Sequence, residues 1–255
     1  MIVPRVIPVL LLRGRGLYKT VKFKDPAYVG DPMNTIRLFN EKEANEIMVL
    51  DIGATAENRG PNFEFLEDLA SECFMPFAYG GGITTIEQIK KLFFLGAEKA
   101  VLNASAFEQP DLVDEAAKRF GSQSVVVSID VKKKMLGGYD VCTHNGTRGR
   151  KRKPAEVARE MESRGAGEIL INAIDRDGTM SGYDLDLIKE VSQATSVPVI
   201  ACGGAAGPQD FRAAVSVGAA AVSAGAYFVF QGKLRAVLIS YPNEDELQTI
   251  FTPDA

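Results

Sequence analysis

Eight short apolar segments recur along the whole chain, at residues 5–11, 46–52, 75–80, 99–104, 124–130, 168–174, 197–202 and 220–225. Each is a continuous hydrophobic run and not an alternation of apolar and polar residues, which is typical of parallel strands buried on both faces. Amphipathic stretches such as "TIEQIKKLFFLGA" and "PAEVAREMESRGA" lie between them, and several end at a glycine suited to a helix C-cap. The pattern therefore predicts strands alternating with helices.

Eight strand–helix pairs in a chain of 255 residues match the count and size of a (β/α)₈ barrel, an α/β fold. A doubly wound open sheet is the alternative, but the GxGxxG turn expected early in such a fold is absent from the sequence. The sequence thus predicts one barrel domain over residues 1–255.

The chain also repeats itself. The stretch "MPFAYGGGITTIEQIKKLFFLGAEKAVLNASAF" from Met75 matches "VPVIACGGAAGPQDFRAAVSVGAAAVSAGAYF" from Val197, at an offset of 122 residues. At an offset of 119, "RVIPVLLLR" aligns with "SVVVSIDVK", so that Leu11 falls on Asp130. The repeat predicts two fused half-barrels, about 1–121 and 122–240, followed by a C-terminal tail at 241–255.

Composition narrows the class of protein. The net charge of -4 argues against nonspecific nucleic-acid binding, and no stretch has the roughly 20 apolar residues of a membrane helix or the pattern of a signal peptide. The scattered Cys73, Cys142 and Cys202 lack metal-ligand spacing and indicate a reduced, cytoplasmic chain. His144 is the only histidine, which argues against histidine triads and histidine-rich metal sites.

Two glycine-rich turns, "GGGI" and "CGGAAG", follow the third and seventh predicted strands, and each precedes a small-residue turn, "NASAF" or "SAGAY", one strand later. Glycine lets backbone N–H groups approach an anion, and one such pair of turns is the usual phosphate site of a barrel. Two pairs predict a ligand with two phosphates, or with one phosphate and another anionic end. The alternative is that the glycines merely permit tight turns.

Two carboxylates are candidates for chemistry. Asp130 ends the buried run "VVVSID", where a partly desolvated carboxylate could act as general acid or base, or could pair with Lys132 or Lys19. The "IDRDGTMSGYD" segment offers Asp177 and Gly178 in a turn that suits a phosphate or a sugar, or that caps the next helix.

Two basic segments flank these candidates. The loop at 13–32, "RGRGLYKTVKFKDPAYVGDP", is long and basic, so it is predicted to be a lid that brings Lys19 to an anionic substrate, or else a solvated loop. The run at 148–153 contains five cations in six positions and is more typical of a solvated face, although it could attract an acidic substrate or partner.

With the repeat and the motifs "YGGGI", "VVVSIDVK" and "GAGEILINAIDRDGTMSGYD", the chain resembles the cyclase subunit of imidazole glycerol phosphate synthase over residues 3–240. The resemblance implies a (β/α)₈ barrel that receives ammonia from a partner glutaminase and delivers it to a bisphosphorylated ribulose-type substrate at the C-terminal face, without cofactor or metal. It implies phosphate or substrate contacts at Lys19, Gly82, Asn103, Asp177, Gly178, Gly204, Gly225 and Ala226. It also implies a ring of four charges at the ammonia entrance and glutaminase interface, or plain salt bridges closing the barrel: Arg5, Glu46, Lys99 and Glu168.

The chain departs from that family at one catalytic position. The family uses two aspartates, one ending strand one and one ending strand five; the second is Asp130, and the first falls on Leu11. Leucine transfers no proton, and losing one acid–base group typically costs about 10²–10⁴-fold in rate.

We therefore expect a specialised relative that delivers ammonia, with a glutaminase, for amidination of an acetamido sugar of bacterial surface polysaccharide. A separate ATP-dependent sugar amidotransferase would be a further partner. The alternatives are the orthodox cyclase of histidine biosynthesis, a non-catalytic scaffold for a glutaminase, and a sugar-phosphate isomerase of the related half-barrel family.

Overall fold

The computed structural model describes residues 3–232 and 234–252. Its strands are β1 (Arg5–Arg13), β2 (Gly16–Val21), β3 (Lys24–Gly30), β4 (Ile47–Asp51), β5 (Phe77–Gly80), β6 (Lys99–Leu102), β7 (Val125–Lys133), β8 (Tyr139–Thr143), β9 (Arg148–Gly149), β10 (Glu168–Ala173), β11 (Val199–Cys202), β12 (Ala221–Ala224), β13 (Phe230–Gln231) and β14 (Ala236–Val237).

Eight of these strands form a closed parallel barrel. They pair in the order β1, β4, β5, β6, β7, β10, β11, β12, and β12 returns to β1. Every apolar segment of the sequence holds one barrel strand, so the predicted (β/α)₈ barrel is confirmed. The pairing of β7 with β10 leaves no open edge in this ring and excludes the open doubly wound sheet.

Helices cover the outside of the barrel. They are α1 (Pro32–Glu41), α2 (Phe63–Glu72), α3 (Ile86–Phe94), α4 (Ala104–Glu108), α5 (Asp111–Phe120), α6 (Pro154–Ser163), α7 (Leu185–Ser192), α8 (Pro208–Ser216), α9 (Ala226–Val229) and α10 (Glu244–Phe251), with a 3₁₀ turn at Ser122–Ser124. Local sequence sets their ends: Thr85 and Gln88 form a capping box before α3, and Gly96 follows that helix with φ of 105°. No described helix is long and apolar enough to cross a membrane.

Apolar side chains fill the barrel axis. Successive residues of a strand point to opposite faces, so every second side chain of each barrel strand points inward. On β1 these are Ile7, Val9 and Leu11, and they pack in one interior cluster with residues of the other strands. The N-terminal end of this interior is called the base below, and the C-terminal end is called the mouth.

The structure corrects the prediction that residues 13–32 form a loop, and a role of this segment as a lid stays a prediction. This segment is an antiparallel hairpin, β2 paired with β3, which continues from β1. Its turn places Lys22 and Phe23 at φ of 55° and 62°. The exposed, charged β3 lacks the hydrophobic run that signals a strand, and the hairpin β8–β9 was missed for the same reason. The boundary between the two half-barrels stays a prediction.

The C-terminal segment packs back onto the barrel. The Tyr241 hydroxyl donates to the Val6 carbonyl at 2.9 Å, and its ring packs against Phe39 and Phe228. Helix α10 is tied to α8, since Arg212 Nε donates to the Ile250 carbonyl at 2.9 Å. The predicted tail is therefore part of the packed domain as far as residue 252.

Tyr241→Phe is expected to lower the free energy of unfolding by about 1–2 kcal/mol, because the buried Val6 carbonyl loses its donor. Tyr241→Ala is expected to lower it by about 3–5 kcal/mol through the lost packing. Urea denaturation measures both values. Tyr28→Phe is the matched control: Tyr28 is 62% exposed, and equal losses in both Phe variants would contradict the anchoring role of Tyr241.

Candidate active site

A cavity of about 390 Å³ opens at the mouth, where the C-terminal ends of the barrel strands meet. All eight residues predicted to contact phosphate or substrate line it: Lys19, Gly82, Asn103, Asp177, Gly178, Gly204, Gly225 and Ala226. Asp130 and Leu11 line the same cavity. The structure thus brings the predicted site residues together, and phosphate binding by them stays a prediction.

The two glycine-rich turns lie in the cavity wall and have similar backbone geometry. Gly82 has φ of +69° and Gly204 has φ of +113°, a region that other residues rarely adopt. A Cβ at Gly82 would collide with the Arg59 carbonyl oxygen, and a Cβ at Gly204 would collide with the Gly182 carbonyl oxygen. Tight packing alone therefore requires both glycines, whether or not their backbone also binds an anion.

Asp130 is the buried carboxylate of the mouth, with 8% of its surface exposed. Asn103 Nδ2 donates to Asp130 Oδ2 at 3.2 Å and to the Ser128 carbonyl at 2.9 Å. Burial, and then the charge of Asp177, raises the pKa of Asp130 to about 7. A carboxyl group that titrates near neutrality is suited to acid–base work.

No ion pair joins Asp130 to Lys19 or Lys132 in the described part of the chain, so the salt-bridge alternative is wrong. Lys19 is itself buried, its Nζ donates to the Val9 carbonyl at 2.5 Å, and burial lowers its pKa to about 8. Lys132 is exposed on the outer part of β7. A buried ammonium that is hydrogen-bonded to one backbone carbonyl is incompletely paired, so binding of an anion beside it is favourable.

Asp177 holds the hairpin β2–β3 over the mouth through hydrogen bonds. Thr20 Oγ1 donates to Asp177 Oδ2 at 3.0 Å, and the Lys22 backbone N–H donates to the Asp177 carbonyl at 2.9 Å. A Cβ at Gly178 would collide with the Thr20 carbonyl. Asp184, and not Asp177, caps the next helix, α7, so the helix-cap alternative for Asp177 is wrong.

Leu11 occupies the mouth on β1, where its side chain packs with Leu50 at the edge of the interior cluster. Leu50 is its register partner on β4, so the mouth has an apolar wall on this side. The acid that follows, Asp51, points to the outside of the barrel, because Met48 and Leu50 point inward. Neither β1 nor β4 therefore contributes an acid to the cavity from its inward face.

Sequence reasoning missed several polar residues of the cavity wall, and Asn172 and Thr20 are two of them. Asn172 lies two positions after Leu170 on the inward face of β10, in register with Asp130. Its buried Oδ1 accepts no hydrogen bond from any residue that the structure describes. Thr20 follows Lys19 in the hairpin. The continuous apolar run of β10 does not show that Asn172 points inward, and nothing in the pattern indicated the hairpin that brings in Thr20.

The remaining basic and histidine candidates lie at the rim of the mouth. The side chain of His144 is half-buried, with Nε2 3.4 Å from Glu108 Oε1. Arg148 and Arg150 of the basic run also reach Glu108. No group of three or more His, Cys, Asp or Glu side chains that could hold a metal ion occurs among residues 3–232 and 234–252.

A closed ring of four charges lies at the base. Arg5 contacts Glu46 and Glu168, each at 2.6 Å, and Lys99 contacts the same two carboxylates at 3.0 and 3.1 Å. The glutamates are 5% and 9% exposed. Burial acts to lower the pKa of Arg5, but attraction to Glu168 and Glu46 outweighs it and raises that pKa. The predicted ring is therefore present, and its role in gating or docking stays a prediction.

A closed (β/α)₈ barrel with a polar cavity and a buried, titratable carboxylate at its C-terminal end has the architecture of the barrel enzymes. The family model described as "Histidine biosynthesis protein" matches residues 5–235, and the chain belongs to this family.

Individual relatives agree. The chain is 52% identical over 248 residues to a Pseudomonas aeruginosa protein provisionally named imidazole glycerol phosphate synthase subunit hisF2, covering 95% of this chain and 97% of the relative. It is 45% identical over 253 residues to a provisionally named HisF subunit of Leptospira interrogans, covering 98% and 100%. It is 40% identical over 238 residues to the imidazole glycerol phosphate synthase subunit HisF of Solidesulfovibrio magneticus, covering 91% and 92%. The chain is thus a HisF-like, enzyme-type subunit.

Asp130→Asn is expected to stabilise the protein above neutral pH. Because burial raises the pKa of Asp130 to about 7, the native state keeps a proton that the unfolded state has lost between about pH 4 and 7. Native stability is therefore lost as the pH rises through 7, and a neutral amide avoids this loss. The Tm of the variant minus the Tm of the wild type should be at least about 3 °C larger at pH 8 than at pH 5. An equal difference at both pH values would contradict the raised pKa.

Proposed function

We propose that this chain is the ammonia-using barrel subunit of a glutaminase-dependent synthase, and that it does not catalyse the orthodox cyclisation of a ribulose-type substrate. The observation that carries the proposal is Leu11 at the mouth. Leu11 and Leu50 form an apolar wall, and Asp130 is the only acid that an inward-facing strand position brings to the described cavity. Ring closure requires proton transfers on both sides of the substrate. Asp51 and Asp177 also line the cavity, but Asp51 is paired with Arg59 and Asp177 accepts from Thr20, which leaves Asp130 as the proton carrier for one side.

The base and the axis support the use of ammonia. The ionic ring closes the base with two acids and two cations, a surface that a partner subunit with opposite charges could dock against or open. Above it the axis is lined by apolar and small side chains, including Ala78 and Ala221. Neutral ammonia crosses such an interior more easily than ammonium, since a buried unpaired charge is costly.

The mouth supports an anionic ligand. Lys19 is buried and has no carboxylate within ion-pair distance among residues 3–232 and 234–252. It lies against Gly225 so closely that a Cβ there would collide with its Nζ. The two glycine turns lie on opposite halves of the sequence and line the same cavity. A phosphorylated small molecule with two anionic ends fits this arrangement.

The acceptor that we propose is an acetamido sugar of bacterial surface polysaccharide, whose acetamido group becomes an acetamidino group. Ammonia attacks the activated acetamido carbon, and the carbonyl oxygen leaves with the activating group. A separate ATP-dependent sugar amidotransferase supplies the activation. This reaction needs delivered ammonia and no ring closure at the mouth, which agrees with a leucine at position 11.

The orthodox cyclase of histidine biosynthesis is the second candidate. It is favoured by the presence of Lys19, Asp130 and Asp177 in one cavity and by the identity to the HisF subunit of Solidesulfovibrio magneticus. A sugar-phosphate isomerase would not require the ionic ring at the base, and a non-catalytic scaffold for a glutaminase would not require the buried, titratable Asp130 at the mouth.

Leu11→Asp tests the proposal against this candidate. Wild-type protein with the ribulose-type substrate and saturating ammonium salt is expected to form no imidazole product above background. The variant is expected to gain at least about 10²-fold in turnover, because a second carboxylate then faces Asp130 across the cavity. Chromatographic detection of the product measures both rates.

Leu50→Asp is the matched control, since Leu50 is the register partner of Leu11 and lies on the same apolar wall. It is expected to give no gain. Efficient product formation by the wild type would overturn the proposal in favour of the orthodox cyclase.

The ring at the base leads to a second test. A glutaminase subunit from the same cell is expected to co-purify as a heterodimer. Lys99→Met is expected to reduce the fraction of glutamine nitrogen that is transferred, because Glu46 and Glu168 lose one of their two cations. Lys153→Met, 74% exposed at the start of α6, is the control and should change nothing. Failure of any glutaminase to associate would exclude a glutaminase-dependent synthase.

A further inference from the structure

Asp51 is a buried acid that the proposed chemistry does not use. It ends β4, its side chain is only 4% exposed, and it points away from the barrel axis. An acid in this position needs partners, since a buried carboxylate without them is strongly destabilising. Asp51 has four.

These partners all belong to the loop that follows, residues 52–60. Asp51 Oδ1 accepts from the backbone N–H groups of Gly53 at 3.0 Å and Ala54 at 3.1 Å. Arg59 returns from the other end of the loop and binds both carboxylate oxygens, at 2.7 and 3.0 Å. A bidentate guanidinium–carboxylate pair fixes geometry as well as charge. Asp51 therefore clamps the loop at its start and at its end.

The clamped loop forms the support of the first glycine turn. Ideal Cβ atoms show how close the approach is: one at Gly81 would lie 2.5 Å from the Asp51 carbonyl oxygen and 2.8 Å from its Cβ. One at Gly82 would collide with the Arg59 carbonyl oxygen and lie 3.0 Å from Ala54 Cβ. The backbone of the glycine turn thus rests on the residues that Asp51 holds.

The second half of the chain has no such clamp. The repeat offset of 122 residues places Ala173 at the position of Asp51. The backbone support is partly shared, because a Cβ at Gly203 would lie 2.7 Å from the Ala173 carbonyl oxygen, and one at Gly81 would be similarly close to that of Asp51. The second position differs: Gly204 packs on the Gly182 carbonyl and on Arg176 Cβ, and Ala173 has no carboxylate with which to hold a loop.

We propose that Asp51 is a positioning residue for the first glycine turn, and that through Arg59 it holds the Gly81–Gly82 backbone in the geometry that binds one anionic end of the ligand. The second turn does not depend on it. This inference rests on the proposed anion binding at the mouth. According to this inference, each anionic end of the ligand binds at its own glycine turn, and a substitution can weaken binding at one turn without weakening it at the other.

Inorganic phosphate titrated into the ¹⁵N-labelled full-length protein tests the inference, with the amide signals of Gly82 and Gly204 as reporters of the two turns. Asp51→Asn keeps an acceptor for the Gly53 and Ala54 amides and loses the ion pair. Arg59→Lys keeps the cation and loses the bidentate geometry. Both are expected to weaken phosphate binding at Gly82 by about tenfold, as losing an outer partner typically does, and to leave Gly204 within about twofold.

Glu57→Gln is the matched control, because Glu57 binds the same guanidinium from the exposed side, at 2.7 Å. It should leave both turns as in the wild type. Unchanged binding at Gly82 in both test variants, or equal weakening at Gly82 and Gly204, would overturn the inference. If Asp51→Asn does not fold, Arg59→Lys decides alone. Absence of any phosphate response in the wild type would instead contradict the proposed anion site.

Discussion

Closure of eight parallel strands into one ring is the constraint on which this structure depends. Once β7 pairs with β10, every second side chain of each strand must point into the axis, and its neighbours must point toward the helices. This alternation decides the chemistry of each acid at a strand end. Asp130 lies on an inward position and becomes a buried group of the mouth. Asp51 lies on an outward position and becomes a clamp for a loop.

Strand β1 shows the consequence most clearly, because one end contributes to the ionic ring at the base and the other end contributes to the cavity at the mouth. At the base, Arg5 joins two glutamates in an ion-paired ring. At the mouth, three inward positions later, Leu11 presents a methyl surface to the cavity. In the proposed function the two ends of the barrel have different roles. The base admits ammonia, and the mouth binds an anion and has one proton carrier, Asp130.

Much of this could be predicted from the sequence. Continuous apolar runs identified all eight barrel strands, and the internal repeat paired the glycine turns that line one cavity. A continuous apolar run does not show which residues point inward, however, so Asn172 was missed and the different orientations of Asp51 and Asp130 were not visible. The hairpin β2–β3 was predicted as a loop because the exposed, charged β3 has no hydrophobic run, and its contacts with Asp177 join residues far apart in the sequence. Such long-range contacts leave no local pattern.

The most direct measurement is the ionisation of Asp130 itself. Its carboxyl carbon can be followed by ¹³C NMR as a function of pH, with Asp130→Asn used to assign the signal. A midpoint near pH 7 is predicted, since burial and Asp177 both raise the pKa of this group. Such a midpoint means that the single inward acid of the mouth can both hold and release a proton at neutral pH. A midpoint near 4 would show an ordinary, permanently charged carboxylate and would contradict its role as the proton carrier of this site.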